Sequence, residues 1–344
     1  MRIDQPFRIS VIIVCYNSEK WIGRLLQSLK IQTIFDRIEI IIVDNNSQDN
    51  TLHIIQTETS NWKNIHVILS PINLGFAGGN NLGSQSAEGK YCYFINPDTW
   101  LESDCLEQMW FSAELSQAIM VGAKIKNYNS DTDISKGIVG FDMFGDSVQF
   151  LTDTQNEQVL FASGNFNFIK RDEFFRLGMF DEKMFMYGEE MDLAWRTRIS
   201  GGSVIYSPKS CVYHQGDVAL NPDGNTNQTS SEKRFLANRN RLIVILKNCQ
   251  HVLLLMLIPC FFLIIAEGII SLIITRKLKI FKRGCLDAIY DVWRLRSHIC
   301  SERLRVKSFR KRNDFWMLRF LHFGFGRWHE VETIMKQGFP KFLY

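Results

Sequence analysis

Six side chains able to do acid, base or metal chemistry fall at telling places in this sequence. Asp44 closes the apolar run "IEIIIVDN" (38–45), and Asp98 closes "KYCYFINPD" (90–98). Glu189, Glu190 and Asp192 crowd into "MYGEEMDLAWR" (186–196), and His214 lies in "VYHQG" (212–216). Two carboxylates brought close together repel unless a positive charge lies between or beside them. A divalent cation carrying a diphosphate meets that need, because Mg²⁺ and Mn²⁺ take one or two carboxylates and fill the other positions with water and phosphate oxygens. A carboxylate at the start of a helix can also serve as a general base toward a hydroxyl. Each residue has a plainer reading too. Asn-Pro-Asp is good turn chemistry, acids suit a helix N-terminus, and a lone His is more often structural than a ligand. Arg196, one helical turn beyond Asp192, can pair with it.

Which reading holds depends on the elements that carry these residues. "RISVIIVCYN" (8–17), ending at Asn17, "IEIIIVDN" (38–45), "NIHVILS" (64–70) and "KYCYFINPD" (90–98) are strand-like and read as apolar throughout. Helical periods separate them: "SEKWIGRLLQSLKIQT" (18–33), opened by Ser18 as a cap, a stretch from Ser47 to about Thr59, and "SDCLEQMWFSAEL" (103–115). Apolar strands alternating with helices predict a parallel sheet covered on both faces. In such a doubly wound α/β half, ligands bind in the crevice at the carboxyl ends of the strands. Asn17, Asp44 and Asp98 all fall there. "NLGFAGGNNLG" (73–83) reads as a glycine-rich loop that lets backbone approach a ligand, or as an ordinary flexible turn.

The later chain is less regular. "AIMVGAKI" and "FASGNFNFIKR" read as strands, and the polar segment 126–160 as an insertion or edge region. "GEEMDLAWRTRISGG" reads as a helix ending on its Gly pair, "SVIYSP" and "SCVYHQG" as two strands, and 216–232 as a mobile loop. Then composition shifts: residues 252–275 are 24 apolar-rich positions with one charge, Glu267, interrupted by Pro259 and Gly268. That length matches a bilayer core of about 30 Å. Arg239, Arg241 and Lys247 precede it, and Arg276, Lys277, Lys279, Lys282 and Arg283 come after it. A single span would strand one basic flank outside, against the positive-inside tendency, so a bent, re-entrant or membrane-lying segment is expected. The alternative is a buried core helix pair.

Net charge is +4 over 344 residues, but it is uneven: residues 276–344 hold 17 Lys and Arg against 6 Asp and Glu, leaving 23 against 30 before them. The basic, aromatic tail fits an interfacial helix. Nucleic acid fits it less well, since no stacking platform or groove-reading module accompanies it. Eight cysteines without a CxxC pair predict reduced, mostly buried thiols and a cytosolic catalytic region, and argue against a metal cluster. The N-terminus runs almost directly into a strand, so no signal peptide is expected.

Taken in order, "VIIVCYN", "IIIVDNNSQDNT", "NLGFAGGNN", "NPDT", "GMFDEKMFMYGEEMDLAWR" and "VYHQG" strongly resemble family 2 glycosyltransferases of the GT-A fold. The subgroup they look most like is the rhamnosyltransferase-like set of bacterial surface-polysaccharide and O-antigen synthesis. The resemblance covers roughly residues 8–245. It implies a doubly wound mixed sheet forming a catalytic domain over 1–247, with a membrane-associated hydrophobic helix or hairpin and basic helical tail over 248–344. It further implies that Val14, Tyr16, Asn17, Asp44, Asn73, Gly75, Gly78, Asn80, Asn96 and Asp98 bind the nucleotide sugar. Asn96-Pro97-Asp98 matches the family's Asp-x-Asp metal motif, making Asp98 the direct ligand of Mn²⁺ or Mg²⁺, with His214 near the metal and diphosphate. The family's Glu-Asp base pair reads here Glu189-Glu190, so Glu190 takes the place of the Asp as base and Glu189 is its rival. Gly164, Asn165 and Asp192 fall on the acceptor side. No Gln-x-x-Arg-Trp motif is present, which argues against a processive synthase. The implied activity is an inverting transfer from a nucleotide sugar, with rhamnose the subgroup's sugar, to a lipid-linked or glycan acceptor at the cytoplasmic face of the bacterial inner membrane. A catalytically silent, membrane-bound scaffold keeping the fold is the alternative, and the presence of the whole polar set speaks against it. A nucleotide-binding oxidoreductase domain is disfavoured by the missing GxGxxG after the first strand.

Overall fold

The computed structural model describes residues 8–130, 133–135, 138–149, 159–160, 167–215, 228–324, 326, 332, 335–336 and 341–343. The chain forms two compact units. One comprises Met1–Ile138, Phe150–Phe185 and Gly202–Gly216; the other comprises Val139–Gln149, Met186–Gly201 and Asp217–Tyr344.

The first unit opens with β1 (Ile9–Cys15), α1 (Ile22–Lys30), β2 (Ile38–Asp44), α2 (Thr51–Glu58), β3 (Ile65–Leu69), α3 (Gly75–Ser84) and β4 (Tyr91–Ile95). It continues with β5 (Thr99–Leu101), α4 (Cys105–Ser116), β6 (Met120–Asn127) and β7 (Asp133–Ser135). β1 and β2 are rich in Ile and Val and buried on both faces, as a central parallel strand requires. They pair in parallel from Ile9↔Ile38 to Cys15↔Asp44, which sets Asp44 beside the end of β1. β4 pairs with the other edge of β1, from Ile9↔Tyr91 to Ile13↔Ile95.

Three local expectations change. α1 starts a turn later than Ser18: the Ser18 carbonyl accepts the N–H groups of Trp21 and Ile22, and Trp21 takes the cap position. The glycine-rich stretch is a helix, α3, rather than a loop. A Cβ at Gly79 would lie 2.6 Å from Val14 Cγ1, and one at Gly83 would lie 2.8 Å from Ile12 Cγ2. The glycines therefore let a helix settle onto β1, and for the same reason they erase the apolar period that would have announced it. The two strands expected over 203–216 are one, and its register shifts between Ser207 and Cys211, around Pro208.

Two short strands come next, β8 (Ile138–Phe141) and β9 (Ser147–Gln149), which lie mostly in the second unit and pair with each other. β10 (Asn167–Lys170) and α5 (Arg171–Arg176) return to the first unit, α6 (Glu189–Ile199) belongs to the second, and β11 (Val204–His214) closes the main sheet. That sheet has the order β3-β2-β1-β4-β10-β6-β11-β5, with β7 on β6. It is mixed: β10 runs antiparallel to β4 and β6, and β5 runs antiparallel to β11.

The second unit goes on with β12 (Gln228–Ser230), α7 (Ser231–Asn248), α8 (Leu257–Thr275), α9 (Leu278–Phe281), a π-helical turn (Lys282–Asp287), α10 (Ala288–Arg294), α11 (Arg296–Phe309) and α12 (Asp314–Met317). β13 (Lys341–Leu343) pairs with β12. α7 is the axis of this unit, buried along most of its length from Phe235 to Asn248. Its charges tie it to the rest of this unit, one to a later helix and two to segments that come before it. Arg239 pairs with Asp291 at 3.1 Å, Arg241 with Asp146 at 2.9 Å, and Lys247 with Asp192 at 3.1 Å. These cations, expected as a basic membrane flank, are thus interior partners. All eight cysteines are free, and only Cys300 is exposed.

Candidate active site

In the first unit the polar residues gather at the carboxyl ends of β1, β2 and β4, and at the end of β11. Asp44 is buried, with 6% of its surface exposed. One carboxylate oxygen, Oδ2, accepts the Ser47 N–H at 3.3 Å, while Oδ1 has no hydrogen-bond partner among the described residues. A buried oxygen left without a donor is costly, and a ligand N–H or O–H would remove that cost.

The loop after β1 is clasped to the loop after β2. Asn17 sits at φ 50°, a left-handed conformation that Asn tolerates. Its N–H donates to Ser47 Oγ at 3.0 Å, and its Oδ1 accepts from Gln48 N–H at 2.8 Å. Tyr16 is 47% exposed at this rim, and Val14 is half-buried against α3. Asn45, which the sequence reading passed over, joins the strand end to the start of α3. Its Nδ2 donates to Asn73 Oδ1 at 2.9 Å, and its Oδ1 accepts the Leu74 N–H at 2.9 Å. The signal for it was its place in "VDNNSQD", beside Asp44.

The expected nucleotide-sugar residues on α3 have packing duties. Gly75, at φ +71°, has no room for a Cβ, which would come 2.5 Å from the Phe185 ring. At Gly78 a Cβ would meet Leu74 at 2.9 Å. Asn80 is buried and donates to the Phe76 carbonyl at 2.9 Å, with its Oδ1 unpartnered among the described residues.

Asp98 and His214 are brought together by the sheet. After β4 the chain turns at Asn96-Pro97-Asp98 and enters β5, which pairs antiparallel with the end of β11, matching Thr99 with His214. Asp98 Oδ2 then lies 3.2 Å from His214 Nε2, both side chains being mostly buried. The Asn96 carbonyl accepts the Thr99 hydroxyl at 2.6 Å, so Asn96 shapes this turn through its backbone. A carboxylate beside an imidazole offers one hard oxygen and one nitrogen donor, of which the carboxylate is the one that suits Mn²⁺ or Mg²⁺. Among the described residues no third His, Cys, Asp or Glu converges on them. They fit a cation whose remaining positions are filled by phosphate and water.

In the second unit Glu189 and Glu190 begin α6 directly after two left-handed residues, Tyr187 (φ 70°) and Gly188 (φ 87°). This turn is held from α7 by Asn240, whose Nδ2 donates to the carbonyls of Met186 at 2.8 Å and Tyr187 at 2.6 Å. Both glutamates are buried, and Glu189 Oε2 has no hydrogen-bond partner among the described residues. Burial raises the Glu189 carboxyl well above the usual range, with the neighbouring Glu190 adding to it. Burial likewise raises Glu190, to about 7, opposed by backbone hydrogen bonds. A carboxylate poised near neutrality is what a general base requires.

Asp192, expected on the acceptor side, is fully buried in an ion cluster. Its Oδ2 accepts from Arg196 Nε and Nη2 at 2.9 and 2.6 Å and from Lys247 Nζ at 3.1 Å, and its Oδ1 accepts from Asn248 at 2.7 Å. The carboxylate is thereby committed to the core, and the expected pairing with Arg196 is present. Gly164 and Asn165 lie outside the described residues. The sequence reading missed Asn240 and Asn248, because the groups to which their amides donate lie more than fifty residues away.

Comparison with known proteins adds a family match over part of the chain. Residues 10–176 match the profile of "Glycosyl transferase family 2". The glycosyltransferase GlyA of Streptococcus pneumoniae is 32% identical over 141 residues, 41% of this chain and 19% of that protein. The poly(ribitol-phosphate) beta-glucosyltransferase of Bacillus spizizenii is 35% identical over 125 residues, 36% of this chain and 20% of that protein. The chain thus spans about a fifth of the length of these two relatives. Among solved structures, residues 1–349 of S. aureus TarS with UDP-GlcNAc superpose with a TM-score of 0.60 at 18% identity, covering 97% of this chain and 93% of that one. GalNAc-T7 with UDP, GalNAc and Mn²⁺ superposes with a TM-score of 0.61 at 16% identity, covering 77% and 51%. The fold is the mixed α/β GT-A fold that the motifs implied.

Proposed function

We propose that this chain, which carries a family 2 glycosyl transferase domain over residues 10–176, moves a sugar from a nucleoside-diphosphate donor to a hydroxyl acceptor with inversion. The observation that carries the reading is the buried Asp98–His214 pair, built at the strand ends by the β5–β11 register. Asp44, with its unpartnered oxygen, and the Asn17 rim hold the nucleoside. Asp98 and His214 would hold Mn²⁺ or Mg²⁺, which when bound supplies positive charge to the leaving diphosphate. Glu190 takes the proton from the acceptor hydroxyl, whose oxygen attacks the anomeric carbon from the face opposite the leaving group. Burial is what raises Glu190 toward neutrality, and Glu189 beside it is the rival for the same role.

The bound nucleotides of the structural neighbours, UDP and UDP-GlcNAc, favour a uridine donor, whereas the motif resemblance favours a rhamnose donor. The acceptor is a lipid-linked saccharide of surface-polysaccharide synthesis, and residues 248–344 keep the enzyme at the cytoplasmic face of the inner membrane. Supporting the last point, Leu253–Thr275 is long and apolar enough to cross a membrane by length and composition. A panel of UDP-, dTDP- and GDP-sugars, tested with and without Mn²⁺, checks the reading. One donor should bind and be slowly hydrolysed, and Asp98→Ala should lose the metal-dependent part of that binding. If no donor binds, or if Asp98→Ala binds as wild type does, the site assignment falls.

A further inference from the structure

α8 wears its polarity inside out. Its buried side is Cys260, Ile264, Gly268 and Ser271, and its one hydroxyl group in that row, Ser271 Oγ, accepts from Arg234 Nη1 at 3.0 Å. The opposite side carries Ile258, Phe261, Phe262, Ile269, Ile270, Ile273 and Ile274, each at least 41% exposed. On a helix of 3.6 residues per turn these fall on one broad arc with no charge in it. A helix on a water-facing surface puts its polar side outward, so this one is made for an apolar medium.

The chain around the helix fits a flat pose better than a spanning one. Its 19 residues span about 28 Å, near the thickness of a hydrocarbon core. The chain then folds back along it: a Cβ at Gly268, near the helix centre, would lie 2.9 Å from Phe281 and 3.0 Å from Cys285. Immediately beside Cys285, Gly284 packs on Arg234, and Arg283 pairs with Glu232 at 2.7 Å with both side chains partly exposed. A spanning α8 would carry that open ion pair to mid-bilayer depth, where charges are expensive. Lying flat, it keeps the pair on the water side.

One edge of the arc is basic. Arg276 ends the helix, and Lys277, Lys279 and Lys282 come next. Four cations beside an apolar face complement anionic headgroups and would repel one another across a symmetric contact between two copies.

We infer that α8 lies in the plane of one leaflet, its Ile258–Ile274 face sunk among acyl chains and its Arg276–Lys282 edge on anionic headgroups. The inference rests on the membrane attachment in the proposed function, and sharpens it from association to a monotopic pose. The test uses the full chain with Cys300→Ser, bound to phosphatidylcholine vesicles with and without phosphatidylglycerol. Nitroxide is placed singly at residues 258, 262, 269 and 273, and depth is read by collision with oxygen against a polar nickel complex. All four labels should report similar shallow depths, and binding should fall at least tenfold without phosphatidylglycerol. Phe262→Glu combined with Ile273→Glu, both exposed and so without packing to lose, should abolish binding while circular dichroism stays unchanged. Depths that pass through the bilayer centre between 258 and 273 overturn the pose. So does a protein that ignores vesicles and dimerises through this face in ultracentrifugation. Depth is read without donor sugar, so a failure of the transfer reading leaves this measurement intact.

Discussion

A single amide of Asn240 reaches both carbonyls of the turn before the paired glutamates, Met186 O at 2.8 Å and Tyr187 O at 2.6 Å. Its own Oδ1 is taken by Arg239 Nε at 2.9 Å, so the side chain has a fixed orientation. Asn240 therefore holds the left-handed residues from which α6 departs, and through them Glu189 and Glu190.

Asn240→Ala should leave two carbonyls without their donor and cost about 1–3 kcal/mol in urea unfolding. If the residue also positions the base, kcat falls about ten- to a hundredfold while donor KM holds. Equal loss in kcat and donor affinity would mean a general collapse of the fold instead.

Glu190→Gln should keep donor binding and lower transfer by about 10²–10⁴-fold. Wild-type transfer should rise through pH 7 as the raised carboxyl ionises, and that rise should vanish in the variant. A Glu189→Gln variant that alone abolishes transfer would move the base to Glu189.

The same carboxyl makes stability depend on pH. Its folded pKa is raised, from 4.5 to about 7, so the fold favours the protonated form. The stability this represents is full below pH 4.5 and is lost as pH climbs through about 7, on the order of 3 kcal/mol. Glu190→Gln does not ionise, so its melting temperature should exceed wild type's by a margin that grows between pH 5 and pH 8. A constant margin would show that burial does not perturb the group.

Lys247→Met leaves the buried Asp192 carboxylate with Arg196 and Asn248 but without its second cation, and removes the ammonium that lies 3.7 Å from Glu302. The expected loss is about 3–5 kcal/mol. Adding Asp192→Asn should recover part of it, giving a coupling energy that denaturation of the four proteins measures.

Asp44→Ala should weaken nucleotide binding at least about tenfold, a loss of roughly 1.4 kcal/mol. Asp44 Oδ1 has no donor among the described residues, and Oδ2 has only the long Ser47 N–H contact, so the unliganded variant should lose at most about 1 kcal/mol of stability. Calorimetric titration with a nucleoside diphosphate and a thermal melt separate the two effects.

What the sequence displayed well was the strand ends. Runs such as "IEIIIVD" are apolar on both faces, and the polar residues that close each run mark where a crevice must open, which placed Asp44 and Asp98 at strand ends. α3 was hidden because Gly79 and Gly83 trade apolar period for closeness to β1. Asp192 and Lys247 were hidden differently. A charge looks the same in a string of letters whether it faces water or a partner 55 residues away, so an interior ion cluster reads there as an acceptor contact and a membrane flank. Ser18 looks like a cap by residue type, but its N–H and carbonyl are spent on Thr51 and on the turn that precedes α1.

The pairing of Thr99 with His214 has a consequence for how this protein can vary. Because side chains alternate across a strand, a slip of one residue in β5 would exchange the residue facing Asp98 for its neighbour on the other face. The address of the Asp98–His214 pair is therefore written in a ladder of three matched residues, not in the lengths of the segments between them. The loops of the intervening chain, which is more than a hundred positions long, can lengthen, shorten or drift in composition while β6 keeps β11 in its place, and the same two atoms still meet. Such a layout leaves the loops free to change by insertion while the Asp98–His214 pair stays put.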